Sequence, residues 1–167
     1  MNLAPRQLLE ISPKTLITWA SDCSKAAIDT NRDRFGDGRQ LDDALTVTSA
    51  WQTAELVALE ESYRIVCDIV TGHLIANDWD NVPGLKTAMS VESVTSAALA
   101  AKRDLDSFEP STVATAVLQT HAAGVTDTAP RLLRLMNVAP ELSAIASTLI
   151  GDGFDVLAAI EAATTLT

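Results

Sequence analysis

Aromatic side chains are scarce in this chain, with three Trp, three Phe and one Tyr among 167 residues. A core without them rests on Ala, Leu, Val and Ile, a mixture that favours closely packed helices. Cysteine is as sparse: Cys23 and Cys67 form no CxxC pair, so reduced, buried thiols are expected rather than a disulfide. His73 and His121 are the only histidines. With no HExxH, no GxSxG elbow and no Cys–His ligand set, no metal site, cofactor or catalytic motif is read. Positive charge is also short, 12 Lys and Arg against 22 Asp and Glu, for a net charge of −10. Nucleic-acid binding needs clustered cations to neutralise phosphate, and this composition argues against that class. No apolar stretch is long enough to span a bilayer, and residues 1–14 have neither a basic segment nor the apolar run of a signal peptide. The expectation is a cytoplasmic protein without membrane association.

What is present is helical periodicity. Ser12-Pro13 is a helix start, because the Ser hydroxyl caps a free amide and Pro is tolerated in the first turn. Leu16, Trp19, Ala20, Cys23 and Ala27 then fall on one face of a helix expected to run to about Phe35, with Lys14, Ser21, Lys25 and Asp29 largely elsewhere. A second pattern places Leu41, Ala44, Leu45, Thr48 and Trp51 together, and a third places Leu56, Leu59, Tyr63, Val66, Cys67, Val70 and Leu74 together. No Gly or Pro separates these two. One long helix to about Ala76 and a hairpin broken near Thr53–Ala58 both fit. Asn77–Gly84 reads as a loop, Ser90 as the start of a fourth helix using Val91, Val94, Ala98, Ala101 and Leu105, and Ser111 as the start of a fifth with Val113, Val117, Leu118 and His121. Short helices are expected over about 130–137, 140–150 and 153–165. Strand signals are thin, so the reading is all-α: one domain over 1–167, an irregular multi-helix bundle of about seven to eight helices.

The motifs are weak for chemistry. Asn31 to Gly36 with Asp42 has the outline of a calcium loop, but Phe35 takes a ligand position and Asp42 is shorter than the closing Glu such loops use. Gly36-Asp37-Gly38 and Gly151-Asp152-Gly153 are turns that continue into neither a GxxxxGK nor a GxGxxG pattern. The one unusual feature is charge placement: residues 40–80 carry Asp42, Asp43, Glu55, Glu60, Glu61, Asp68, Asp78 and Asp80 against Arg64 alone. Such a stretch ordinarily serves as a solvated face. It also suits a docking surface for a basic partner, with Glu55, Glu60, Glu61 and Asp68 as the binding candidates.

Trp19-Ala20-Ser21-Asp22-Cys23, then Asp37 with Arg39, then Ala50-Trp51 with Glu55, resembles a set of bacterial helical immunity proteins of polymorphic toxins. Those open with a WA-x-DC-type helix, follow it with an Asp/Arg turn and continue into an AW-containing helix. Thr120-His121-Ala122-Ala123-Gly124 matches the first part of their His-x-x-Gly-His element. Val125 stands where the second His would be, and the Gly usual near the end of the second helix is absent around Ala54. The likeness touches residues 16 to about 136. It implies a cytoplasmic helical protein that neutralises a cognate toxin by direct binding. Some similar sequences carry an exonuclease label, which this chain's lack of a metal-ligand set does not support.

The expectation is thus a non-enzymatic binding protein for a basic protein toxin, as monomer or homodimer. Trp19, Asp22, Cys23, Asp37, Arg39, Trp51 and His121 are read as residues that hold helices together. Two alternatives differ in class: a small metal-dependent helical-bundle enzyme, a nuclease or other hydrolase, using His121 with Asp22 or Glu55, and a structural homodimer paired through its C-terminal helices.

Overall fold

The computed structural model describes residues 11–34, 36–76 and 79–135. Among them there is no strand, and six α-helices follow one another: α1 (Pro13–Thr30), α2 (Gly38–Ser49), α3 (Leu56–Ile75), α4 (Val82–Arg103), α5 (Pro110–Ala122) and α6 (Thr128–Leu135). Three 3-10 turns, Arg32–Arg34, Trp79–Asn81 and Leu105–Ser107, link them. The helices expected over 140–150 and 153–165, and with them the C-terminal dimer seam, lie outside the described residues.

α1 starts where the sequence places it. The Ser12 hydroxyl accepts from the Thr15 amide at 3.1 Å, and Pro13 occupies the first turn. Leu16, Ile17, Trp19, Ala20, Cys23, Ala27 and Ile28 are fully buried, each large side chain worth about 1.5–3 kcal/mol on leaving water. Ser21 is buried too, widening the face beyond the expected stripe. The helix ends five residues short of Phe35 because Asn31 caps it. Its buried amide donates to Ala27 O at 3.0 Å, to Ala123 O at 2.9 Å and to Thr87 Oγ1 at 3.3 Å, tying α1 to the end of α5 and the start of α4.

The region from 41 to 76 is two helices. The break spans 50–55 without Gly or Pro, and hydroxyl side chains account for it. Thr46, Thr48 and Ser49 each donate to the carbonyl four residues back, and Thr53 donates to Ala50 O. Such back-bonding weakens and bends a helix. Trp51 is then buried in the core, and the Lys102 ammonium reaches Gln52 O at 3.0 Å.

The fourth helix begins at Val82, eight residues before the expected Ser90. Asn81 is its N-cap, accepting from Gly84 N at 3.2 Å with Pro83 in the first turn, so the Pro-Gly pair that reads as a loop is a helix start. A Cβ on Gly84 would lie 2.6 Å from Asn81 Nδ2, which is why a side chain is missing there. α4 is buried on most sides, largely through small residues such as Ala88, Ser90, Ala97, Ala98 and Ala101. It packs against α1, α2, α3 and α5, while α1 packs against α2, α4, α5 and α6. Leu105, expected in the core, is 61% exposed in the turn after α4. α5 starts one residue before the expected Ser111, and α6 two residues before the expected 130. One apolar cluster includes buried residues from all six helices, and Ala27, Ala123 and Val125 form a small second one. Gly124 ends α5 at φ +104°, a conformation that favours glycine.

Candidate functional site

The motif residues of α1 lie at one joint. Trp19 Nε1 donates to Thr128 O at 2.7 Å in the interior. The Arg131 guanidinium donates to Asp22 at 2.8 Å and to Asp127 at 2.9 Å. Burial opposes the charge on Arg131, yet these two carboxylates hold its pKa above the usual value. Cys23 is buried beside them, and burial, with the Asp22 charge adding, pushes its thiol far up. A thiol held protonated is a poor nucleophile and metal ligand, so this set fastens α6 onto α1.

The other motif residues do not gather with them. Asp37 takes the N-cap position of α2 without a side-chain capping bond and lies 3.8 Å from His73 Nε2. Arg39 is exposed in the first turn of α2, and Trp51 is a core residue. His121 sits in the last turn of α5, its Nδ1 buried without a hydrogen-bond partner among the described residues. Asp22 is engaged by Arg131, Glu55 takes the N-cap position of α3, and among the described residues no ion pair joins His121 to Asp22 or to Glu55. Among the described residues no three His, Cys, Asp or Glu side chains are gathered at metal-binding distance.

The acidic stretch is less uniform than it reads. Asp42 turns toward α1, where it binds Lys25 at 3.0 Å and Arg32 at 2.9 Å, and both cations also meet Asp29. Partial burial pushes the Asp42 carboxyl up, but the bonds from Arg32 and Lys25 outweigh it and hold the group below the usual range. Asp29 is lowered chiefly by Arg32. On α3, Arg64 bridges Glu61 and Asp68, the latter at 3.0 Å, and Arg103 of α4 approaches Glu60 at 3.4 Å. Asp43, Glu55 and Asp80 keep exposed carboxylates outside these pairs.

Two features of this face escape a reading of charge alone. A groove of about 560 Å³ runs between the start of α2 and the second half of α3, lined by Asp37, Gln40, Arg64, Asp68 and His73 with Ile65 and Ile69. Near its end the chain exposes Leu74 (47%), Ile75 (80%) and Trp79 (58%). Leu74 lies on the expected core stripe, yet it is exposed near the end of α3. The helical period carried no sign of that.

No family model, curated protein or solved structure matches the chain. Among the described residues no helix is long and apolar enough to cross a membrane.

Proposed function

We propose that this chain is a cytoplasmic, non-enzymatic binding protein of the immunity type, which neutralises a toxin by covering a basic face of it. The carrying observation is the outer face of α2 and α3, where Asp37 and Asp68 border a groove and the end of α3 and the turn after it expose Leu74, Ile75 and Trp79. Carboxylates speed encounter with a cationic partner, while exposed aromatic and branched side chains supply affinity once water is expelled. Asp43, Glu61 and Asp68 are the steering residues, and Glu55 and Glu60 lie toward the start of the same helix. The resemblance of the Trp19–Cys23, Asp37–Arg39 and Ala50–Glu55 segments to immunity proteins supports the same reading.

The test is capture of partners from low-salt lysate of the native organism by the full chain, followed by association kinetics with the captured protein. A stoichiometric basic partner is expected, with an on-rate falling steeply as salt rises. Reversal of Asp43 and Glu61 to Lys should slow association about tenfold or more at low salt, within the range electrostatic steering spans. Dissociation should change little. Replacing Ile75 and Trp79 with Ser should instead speed dissociation. Kinetics insensitive to salt and to all four substitutions would rule this face out.

A further inference from the structure

A second cavity, of about 750 Å³, opens where the start of α1, the 50–55 break and the end of α4 meet. Its apolar lining comes from Pro13, Trp51, Ala101 and Leu105, and its polar lining includes Lys14, Lys102 and Arg103. Three cations at one opening are notable in a chain whose net charge is −10. One acid, Asp104, also lines the cavity and keeps its charge there while its carboxylate accepts from Asp106 N at 3.0 Å and from the Ser107 hydroxyl at 3.4 Å, so cations still outnumber acids in the lining. Lys102 is held by Gln52 O, and Arg103 is shared with Glu60. Lys14 is exposed and forms no ion pair among the described residues. The positive end of the α1 dipole starts at the same rim and adds to the field.

We propose that this cavity binds a small amphiphilic anion, a carboxylate or phosphate head carried on an apolar body. The volume falls within the range of small-molecule sites, and such sites combine apolar walls with a few placed polar groups. The anionic head takes Lys14 and the free donors of Lys102. The apolar body lies along Pro13 and Leu105 toward Trp51. Leu105 explains itself in this arrangement: a 61% exposed leucine on a polar turn becomes the outer wall of the site. The site lies apart from the α2–α3 groove and does not depend on the docking role.

The probes are decanoate, decanol and decyltrimethylammonium, each titrated into the full chain below its micelle concentration and followed by amide NMR shifts and calorimetry. Decanoate should saturate at one molecule per chain, with shifts concentrated at residues 12–14, 51–52 and 101–105, and decanol and the cation should bind much more weakly. Lys14→Glu and Leu105→Ser, both at exposed positions, should each weaken decanoate about tenfold without altering the fold, in line with one close charge contact or one buried leucine. Decanol binding as tightly as decanoate, shifts centred elsewhere, or unchanged affinity in both variants would overturn the proposal.

Discussion

Asn31 shows how much one side chain can carry. It is 3% exposed, and its amide satisfies carbonyls on two elements plus a threonine hydroxyl. Asn31→Ala strands Ala123 O in the interior, where an unmet buried polar group costs about 1–3 kcal/mol. Urea unfolding should show a loss of that order, with an unchanged m-value. Arg131 sits at the other extreme, since its partner Asp22 is half exposed and water competes for the pair. Arg131→Met should cost about 1 kcal/mol or less, and added salt should shrink the difference from the parent protein. The Lys25–Asp29–Arg32–Asp42 group has a pH signature. Asp29 and Asp42 have folded pKa values below their ordinary ones, so their contribution is complete above the normal carboxylate range and is lost as pH falls through the depressed values. A Lys25→Met, Arg32→Met variant should therefore differ from the parent at pH 7 and converge with it in acid.

Glycines and one half-buried acid separate the elements by sign. Gly84 has its capping asparagine 2.6 Å from where a Cβ would sit, whereas nothing lies within 4 Å at Gly72, in the last turn of α3. Gly84→Ala should cost about 1–2 kcal/mol by breaking the cap, and Gly72→Ala should add about 0.5 kcal/mol or less by stiffening the last turn of α3, both readable from thermal melts. On α4, burial raises the Glu92 carboxyl. An acid raised on folding weakens the fold above its folded pKa and does not below its unfolded one. Glu92→Gln should thus stabilise at pH 7, and the gain should vanish near pH 3 when melts are compared across pH.

These elements also mark how far the residues themselves speak. The α1 face, the α2 stripe from Leu41 to Trp51 and the cap at Ser12 could be read because each is local. The start of α4 was hidden because Pro and Gly carry opposite meanings in a loop and in a first turn, and only the Asn81 cap distinguishes them. The 50–55 break was left open because back-bonding hydroxyls leave no periodic trace. Of the site, the exposed carboxylates could be read, but their partners Arg103, Lys25 and Arg32 come from other helices, and of the cations beside Trp51, Lys14 is far in the chain from the adjacent Lys102 and Arg103.

At the scale of the molecule, negative charge is not spread evenly. It is open at Asp43, Glu55 and Asp80, is partly paired by Arg64 and Arg103 along α3, is neutralised between α1 and α2, and gives way to cations where α1 begins and α4 ends. The protein should thus present a cationic partner with one favoured approach. Raising ionic strength should slow that approach and weaken decanoate at the Trp51 cavity as well, while leaving the weaker binding of decanol there little affected. Parallel titrations at two salt concentrations separate the two.

The bond from Trp19 to Thr128 closes a loop of 109 residues. During synthesis the apolar face of α1 leaves the ribosome long before α6 exists to cover it, and Leu16, Ile17 and Trp19 must wait, exposed or provisionally packed. Because α1 touches α2, α4, α5 and α6, nascent chains cut before residue 110 should remain protease-sensitive and prone to aggregate or to recruit chaperones. Resistance should arrive late and steeply, once residues 110–135 have cleared the exit tunnel.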